Sequence, residues 1–408
     1  MKGRTLGVIV QGRRQQPAIA WPETPTDAVI APSVAEGKDC SALGLDIMIR
    51  GKLQAALDAL FRPVEQSGFW NREGYITRGL LCTLDSRGAL LWREDTRLLH
   101  RYRGFALMGL GDWRCSSHGS DRFDSEIRSH LEWYKRFITS PRLLARIPNY
   151  GAGAHLYGLA TLEPFIPQEP VTDLLTHHLT RRVAFGHHED ALVIMGLARR
   201  WGGLGQTEKQ TVRHAVDRLL TSQADNGLFQ LPAAPRLSTK HQNTMYICWA
   251  LGEYGLRERT EQVCKAISKA LEFTVARRMR TDGGILWHEG GDLLHRCGNW
   301  CRRAILRQTI DVEKLYECHQ TFFVVAVDYL CRLGDSSFSD HATLALEWIY
   351  RSNARKQDLC ELTGIGVPWR AISLTGEWRL PGDMFKGVYE LGAYVRALSA
   401  PERETASL

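Results

Sequence analysis

No apolar run in this chain approaches the roughly 18 residues that a membrane-spanning helix needs. The N-terminus is basic, but its one apolar stretch, Leu6–Val10, is too short for the core of a secretory leader, which runs about 7–15 residues. A cytoplasmic protein with no membrane partner is therefore expected. Lys and Arg are dispersed, the net charge is +7, and no long basic block occurs, so nucleic acid is not an expected partner. The ten cysteines have no framework spacing and several fall inside apolar helical patterns, as Cys248 and Cys331 do. They read as reduced, mostly buried thiols. A Gly-x-Ser-x-Gly elbow, a phosphate-binding loop and a dinucleotide fingerprint are all missing. Cys297-x3-Cys301 with Cys318-His319 offers zinc-type ligand atoms, but the spacing is not that of a usual knuckle, and no metal is expected. Strand patterns are scarce, limited to short extended pieces around Gly79–Leu91 and Gly283–Leu294.

Helical periodicity is what the chain does have. Twelve segments carry it: 51–66, 95–110, 121–138, 150–165, 171–184, 188–201, 207–222, 240–255, 259–278, 315–332, 338–351 and 384–398. Taken as six pairs, the first member of each is charged on one face, as in TEKQTVRHAVDRLL. The second is apolar nearly all round and rich in small residues, as in ALVIMGLA. A helix apolar on all sides is buried. Turn signals such as Asp225-Asn226-Gly227 and Asp282-Gly283-Gly284 follow the charged helices. The repeating unit is outer helix, turn, loop, inner helix, which predicts an all-α (α/α)6 barrel over residues 46–398. An extended, proline-containing arm (1–45) precedes it and a tail (399–408) follows.

Three inner segments open alike: His188-Glu189-Asp190, His241-Gln242-Asn243 and His319-Gln320-Thr321. Titratable residues repeated at one helix end predict a single cleft at the N-terminal ends of the inner helices. Helix dipoles there favour an anionic species.

The order of local motifs resembles the N-acylglucosamine 2-epimerase superfamily, which includes cellobiose 2-epimerases and mannose isomerases. Gly79–Gly88 is similar to that family's first glycine turn, and Arg103 falls where the family keeps a sugar-contacting arginine. Tyr150-Gly151-Ala152-Gly153-Ala154 resembles Tyr-Gly-Gln-Ala-Phe. Gly186-His187-His188-Glu189-Asp190-Ala191 resembles Met-His-x-x-Glu-Ala, which aligns His187 with the family histidine and Asp190 with its glutamate. Lys240–Thr244 resembles Gly-His-x-x-Glu, with His241 on a catalytic histidine and Thr244 in place of the glutamate. Tyr316–Gln320 matches Trp-x-Gln-Ala-Glu, so Gln320 replaces a carboxylate. Phe385–Glu390 matches Trp-Lys-Gly-Pro-Tyr-His, so Glu390 stands where a second catalytic histidine would be.

The resemblance implies proton transfer at C2 of an open-chain sugar through an enediolate, with no cofactor, in a homodimer. Each transferring group must lie within hydrogen-bond reach of the proton and have a pKa near the working pH. Histidine meets that unaided; a glutamate needs burial to raise its pKa. The expected catalytic groups are His241, Glu390 and one of His187 and His188, which are adjacent and cannot both face the cleft. Arg103, Tyr150, Asp190, Gln320, His319, Trp249 and Trp287 are the expected contacts to a sugar or oligosaccharide. Two alternatives stay open. One is a glycoside hydrolase or polysaccharide lyase using Asp190 with Glu390. The other is an inactive sugar-binding or regulatory protein, given the changes at Thr244, Gln320 and Glu390.

Overall fold

In the computed structural model the described residues are 38–96, 102–182, 187–258, 260–287, 293–305, 313–380 and 382–400. The chain divides into a unit Met1–Gly44, of which only the helical residues from Lys38 are described, and a unit Leu45–Leu408. The first helix thus begins inside the segment expected to be an extended arm; residues 1–37 of that arm and the tail after 400 lie outside the described residues.

Five outer helices are amphipathic in the expected way: α1 (Lys38–Phe61), α3 (Asp124–Ile138), α6 (Glu169–Thr180), α8 (Gln206–Thr221) and α11 (Glu261–Arg277). Their buried residues recur every three or four positions, as Ile49, Leu53, Ala56, Leu57 and Leu60 do in α1, or Val263, Ala266, Ile267, Ala270 and Leu271 in α11. That spacing lays one apolar stripe along a 3.6-residue helix. The sixth, α14 (Ser339–Glu347), ends in a π turn over Trp348–Ser352.

The inner helices are α2 (Arg103–Arg114), α5 (Asn149–Leu162), α7 (Asp190–Arg199), α10 (His241–Gly255), α13 (Glu317–Arg332) and α16 (Val388–Ser399). They are buried on nearly every side. Each packs on the next, and α16 packs back on α2, which closes a ring of six. The molecule is an (α/α)6 barrel. Glycine permits the closing contact: a Cβ on Gly392 would lie 2.0 Å from the Phe105 carbonyl oxygen, and one on Gly109 would lie 2.5 Å from that of Gly392.

Short elements decorate the loops: α4 (Pro141–Leu144), α9 (Pro235–Ser238), α12 (Leu293–Ala304) and α15 (Leu359–Thr363). Residues 293–294, expected to be extended, are therefore helical; the isolated bridge Met279–Ile285 is the extended element nearby. Strands β1 (Gly79–Leu84), β2 (Leu90–Glu94) and β5 (Phe385–Gly387) form an antiparallel sheet in the order β2-β1-β5, with Gly79 opposite Gly387. Strand β3 (Lys314–Tyr316) pairs with β4 (Ala371–Ser373), Leu315 opposite Ile372. β3 runs straight into α13 and β5 into α16, so both pairs fix where inner helices begin.

Candidate active site

Two adjoining cavities lie at the N-terminal ends of the inner helices. The larger, about 210 Å³, is lined by Tyr102, Tyr150, His188, Glu189, Gln242, Asn243, Tyr246 and Tyr389. The smaller, about 70 Å³, is lined by Gln242, Trp287, Tyr316, Cys318, His319, Arg370 and Tyr389. Gln242 and Tyr389 belong to both. Every inner helix contributes from its first turn or the residues just before it: Tyr102 on α2, Tyr150 on α5, His188 on α7, Gln242 on α10, His319 on α13 and Tyr389 on α16. Hydroxyls, amides and rings dominate the lining. Gln242 Nε2 donates to the Tyr246 hydroxyl at 2.7 Å, and the Tyr102 and Tyr389 rings meet at 4.7 Å.

The structure separates the two adjacent histidines. His188 lines the cavity, is buried, and its Nδ1 has no hydrogen-bond partner among the described residues. Burial, aided by His187 and Lys240, lowers its pKa to about 4, so the ring is unprotonated at neutral pH. His187 instead builds the turn: its Nδ1 accepts the Glu189 amide at 3.2 Å, and its own amide donates to Asp190 Oδ2 at 3.3 Å. Asp190 also accepts from Asn149 at 3.4 Å and lines neither cavity; it holds the start of α7.

His241 is placed differently from the expectation. It is fully buried and lines neither cavity. Its Nε2 donates to the His319 carbonyl at 2.9 Å and its amide to the Trp287 carbonyl at 2.9 Å, which ties α10 to two cleft-lining residues. Burial holds its pKa well below the usual histidine value. Arg103 points away as well: Nε donates to the Ile76 carbonyl at 3.0 Å, and the guanidinium lies 5.0 Å from the Tyr75 ring and 4.7 Å from the Trp133 ring. Gln320 is spent on structure, accepting from the Ile285 amide at 2.9 Å and donating to the Tyr316 carbonyl at 2.8 Å. Trp249 is a core residue whose indole donates to the Phe322 carbonyl at 3.0 Å. Tyr150, His319 and Trp287 do line the cleft.

Glu390 is fully buried behind Tyr389. Its Oε2 accepts the Gly387 amide at 2.9 Å, closing its own helix start, and its Oε1 accepts the Tyr389 hydroxyl at 2.8 Å. Arg370 Nε lies 2.9 Å from the same Oε1. Arg370 was not expected at the site; it sits in the aperiodic stretch before β4. Lys386 pairs with Glu317 and lies 3.9 Å from Glu390. Burial pushes the Glu317 carboxyl up, to about 7, against the pull of Lys386 and with the push of Glu390. Burial also keeps Cys318 a neutral thiol.

Among the described residues one group of ligand-type side chains lies close enough to share an ion: His187, His188 and Glu189, whose donor atoms fall within 4.8 Å of one another. The His187 Nδ1 lone pair is already taken by the Glu189 amide. Cys297 and Cys301 are exposed on α12.

The closed ring has structural counterparts. The chain superposes on cellobiose 2-epimerase from Bacillus thermoamylovorans B4167 with a TM-score of 0.58 at 9% identity, covering 88% of this chain and 99% of that one. It is similar to an unsaturated glucuronyl hydrolase specific for heparin (TM-score 0.58, 9% identity, 88% and 97% covered). A third counterpart is an alpha-1,6-mannanase from Salegentibacter sp. HEL1_6 (TM-score 0.56, 11% identity, 87% and 98% covered). The chain shares their fold. No protein-family model and no curated protein matches the sequence. Among the described residues no helix is long and apolar enough to cross a membrane.

Proposed function

We propose that the chain is a carbohydrate-active enzyme that moves a proton at C2 of a reducing sugar, as a 2-epimerase or an aldose–ketose isomerase. The observation that carries this reading is the lining of the cleft: a desolvated, neutral His188 facing a wall of tyrosines, amides and one arginine. A cavity of about 210 Å³ is smaller than the roughly 300–1,000 Å³ of pockets that take drug-sized ligands, which suits one sugar ring better than a long oligosaccharide. His188 is the base. Tyr150, Gln242 and Asn243 are hydrogen-bonding groups for sugar hydroxyls, and Trp287 offers a flat apolar face to ring C–H groups. As the C2 proton leaves, negative charge develops on the C1 oxygen. Six helix N-termini and Arg370 favour that charge. His241 acts indirectly, by fixing the backbone of His319.

Hydrolysis by a carboxylate pair is less well supported. Among the described residues that line these two cavities Glu189 is the single carboxylate, whereas that chemistry uses two across the bond. Asp190 and Glu390, the expected pair, are both engaged in structure. One mannanase variant described as inactive has asparagine in place of two adjacent aspartates; this chain has no Asp-Asp pair.

The test is incubation with reducing mono- and disaccharides in D2O, following C1 and C2 by NMR. Deuterium at either carbon is the expected result, and His188→Asn should slow its entry by about 100-fold or more. Released monosaccharide or unsaturated uronate would establish hydrolysis or elimination instead. Binding without exchange would leave a sugar-binding protein.

A further inference from the structure

The functional reading leaves one side of the cleft without an assigned proton carrier, and Tyr389 supplies one. Tyr389 lines both cavities, while Glu390 reaches neither. The two are joined by the 2.8 Å hydrogen bond from the tyrosine hydroxyl to Glu390 Oε1. Arg370 Nη2 lies 3.4 Å from the same hydroxyl, within donor reach, and Nε flanks the carboxylate. We propose that Tyr389, backed by Glu390, is the second proton-transfer group of the cleft, working on the face of C2 opposite His188. The inference rests on the functional reading above and narrows it to epimerisation.

The step balances without a co-reactant. The C2–H bond breaks, its proton passes to the neutral His188 ring, and its electron pair enters the enediolate. The Tyr389 hydroxyl gives its proton to the opposite face of C2 to form the new C2–H bond, and the charge left on the tyrosine oxygen lies 3.4 Å from Arg370 Nη2. The reverse reaction starts from that imidazolium–tyrosinate pair: the tyrosinate takes the C2 proton and the imidazolium returns one. Transfer of a proton from the imidazolium to the tyrosinate through solvent restores the resting pair. Glu390, fully buried, accepts the tyrosine hydroxyl in the resting state and so fixes where it points. Tyr389 is thus the catalytic residue and Glu390 its positioning partner.

The experiment uses the whole chain with glucose, mannose and cellobiose, each incubated separately in D2O, scoring C2 exchange and product. With one carrier removed, a two-carrier enzyme still exchanges the C2 proton of the epimer that the remaining carrier serves. Tyr389→Phe should cut conversion at least 100-fold, with C2 exchange kept for one epimer and lost for its partner. Glu390→Gln should lower kcat tenfold or more with little change in KM, where a merely structural loss would move both or unfold the chain. Near-ultraviolet circular dichroism confirms folding of each variant. Conversion retained in full by Tyr389→Phe, or a ketose as sole product of the unaltered protein, overturns the Tyr389 assignment but leaves the C2 reading standing. No exchange by the unaltered protein on any of the three sugars overturns both.

Discussion

Burial keeps three histidines neutral: His130, His188 and His241 all have pKa values below the usual 6.5, desolvation being the largest cause in each. Their folded pKa values lie below the unfolded one, so the unfolded chain takes up protons first as pH falls. The stability these groups contribute is intact above about pH 6.5 and is lost below it, at about 1.4 kcal/mol per pH unit per histidine. The Tm should therefore fall steadily between pH 6.5 and 5. His241→Gln, which keeps a donor for the His319 carbonyl, should flatten that slope by one proton in calorimetry. A Tm unchanged across the window would refute the neutral assignments. The same three-dimensional facts explain what residue types alone do not reveal. His188, His241 and His319 head similar helices, but rotation about the helix axis decides which ring meets the cleft, and one residue of phase turns a side chain by about 100°. Arg103, expected to contact a sugar, is instead captured by two aromatic rings, Tyr75 and Trp133. Arg370 lies in a segment with no periodicity, immediately before the β4 residue Ala371 that pairs with Tyr316.

At the scale of elements, the inner helices were legible because each is apolar on all sides, and the outer ones because their polar face is unambiguous. Boundaries were less so. The second helix begins at Arg103 rather than near 95, and α12 carries too polar a sequence to stand out. Glycine placement offers a sharper test than boundaries. Gly392→Ala forces a Cβ into the Phe105 carbonyl and should cost about 3 kcal/mol or more. Gly51→Ala, on an exposed face of α1 with nothing within 4 Å, should instead stabilise by about 0.5–1 kcal/mol. Urea unfolding of the two variants checks both signs.

At the scale of the molecule, a polar chain crosses the ring interior. Arg396 on α16 pairs with Asp112 on α2 and donates to the Tyr329 hydroxyl on α13 at 2.6 Å. Tyr329 donates to Glu253 on α10 at 2.9 Å, and Tyr157 on α5 donates to Asp112 at 2.8 Å. Met195 on α7 completes the set, 3.8 Å from Arg396. Arg396→Met strands a buried aspartate and should cost about 3–5 kcal/mol in urea unfolding, while adding Asp112→Leu should restore part of it. Periodicity cannot announce such a network, since each member looks like an isolated polar lapse in an apolar helix.

The Asp112–Arg396 pair joins residues 284 positions apart. At about 5–20 residues per second, a ribosome completes the second partner about 15–60 s after the first. Throughout that interval α2 waits with its glycine-lined flank uncovered. Ring closure is consequently a late, non-local event, and the nascent chain is most exposed to aggregation just before its final helix emerges.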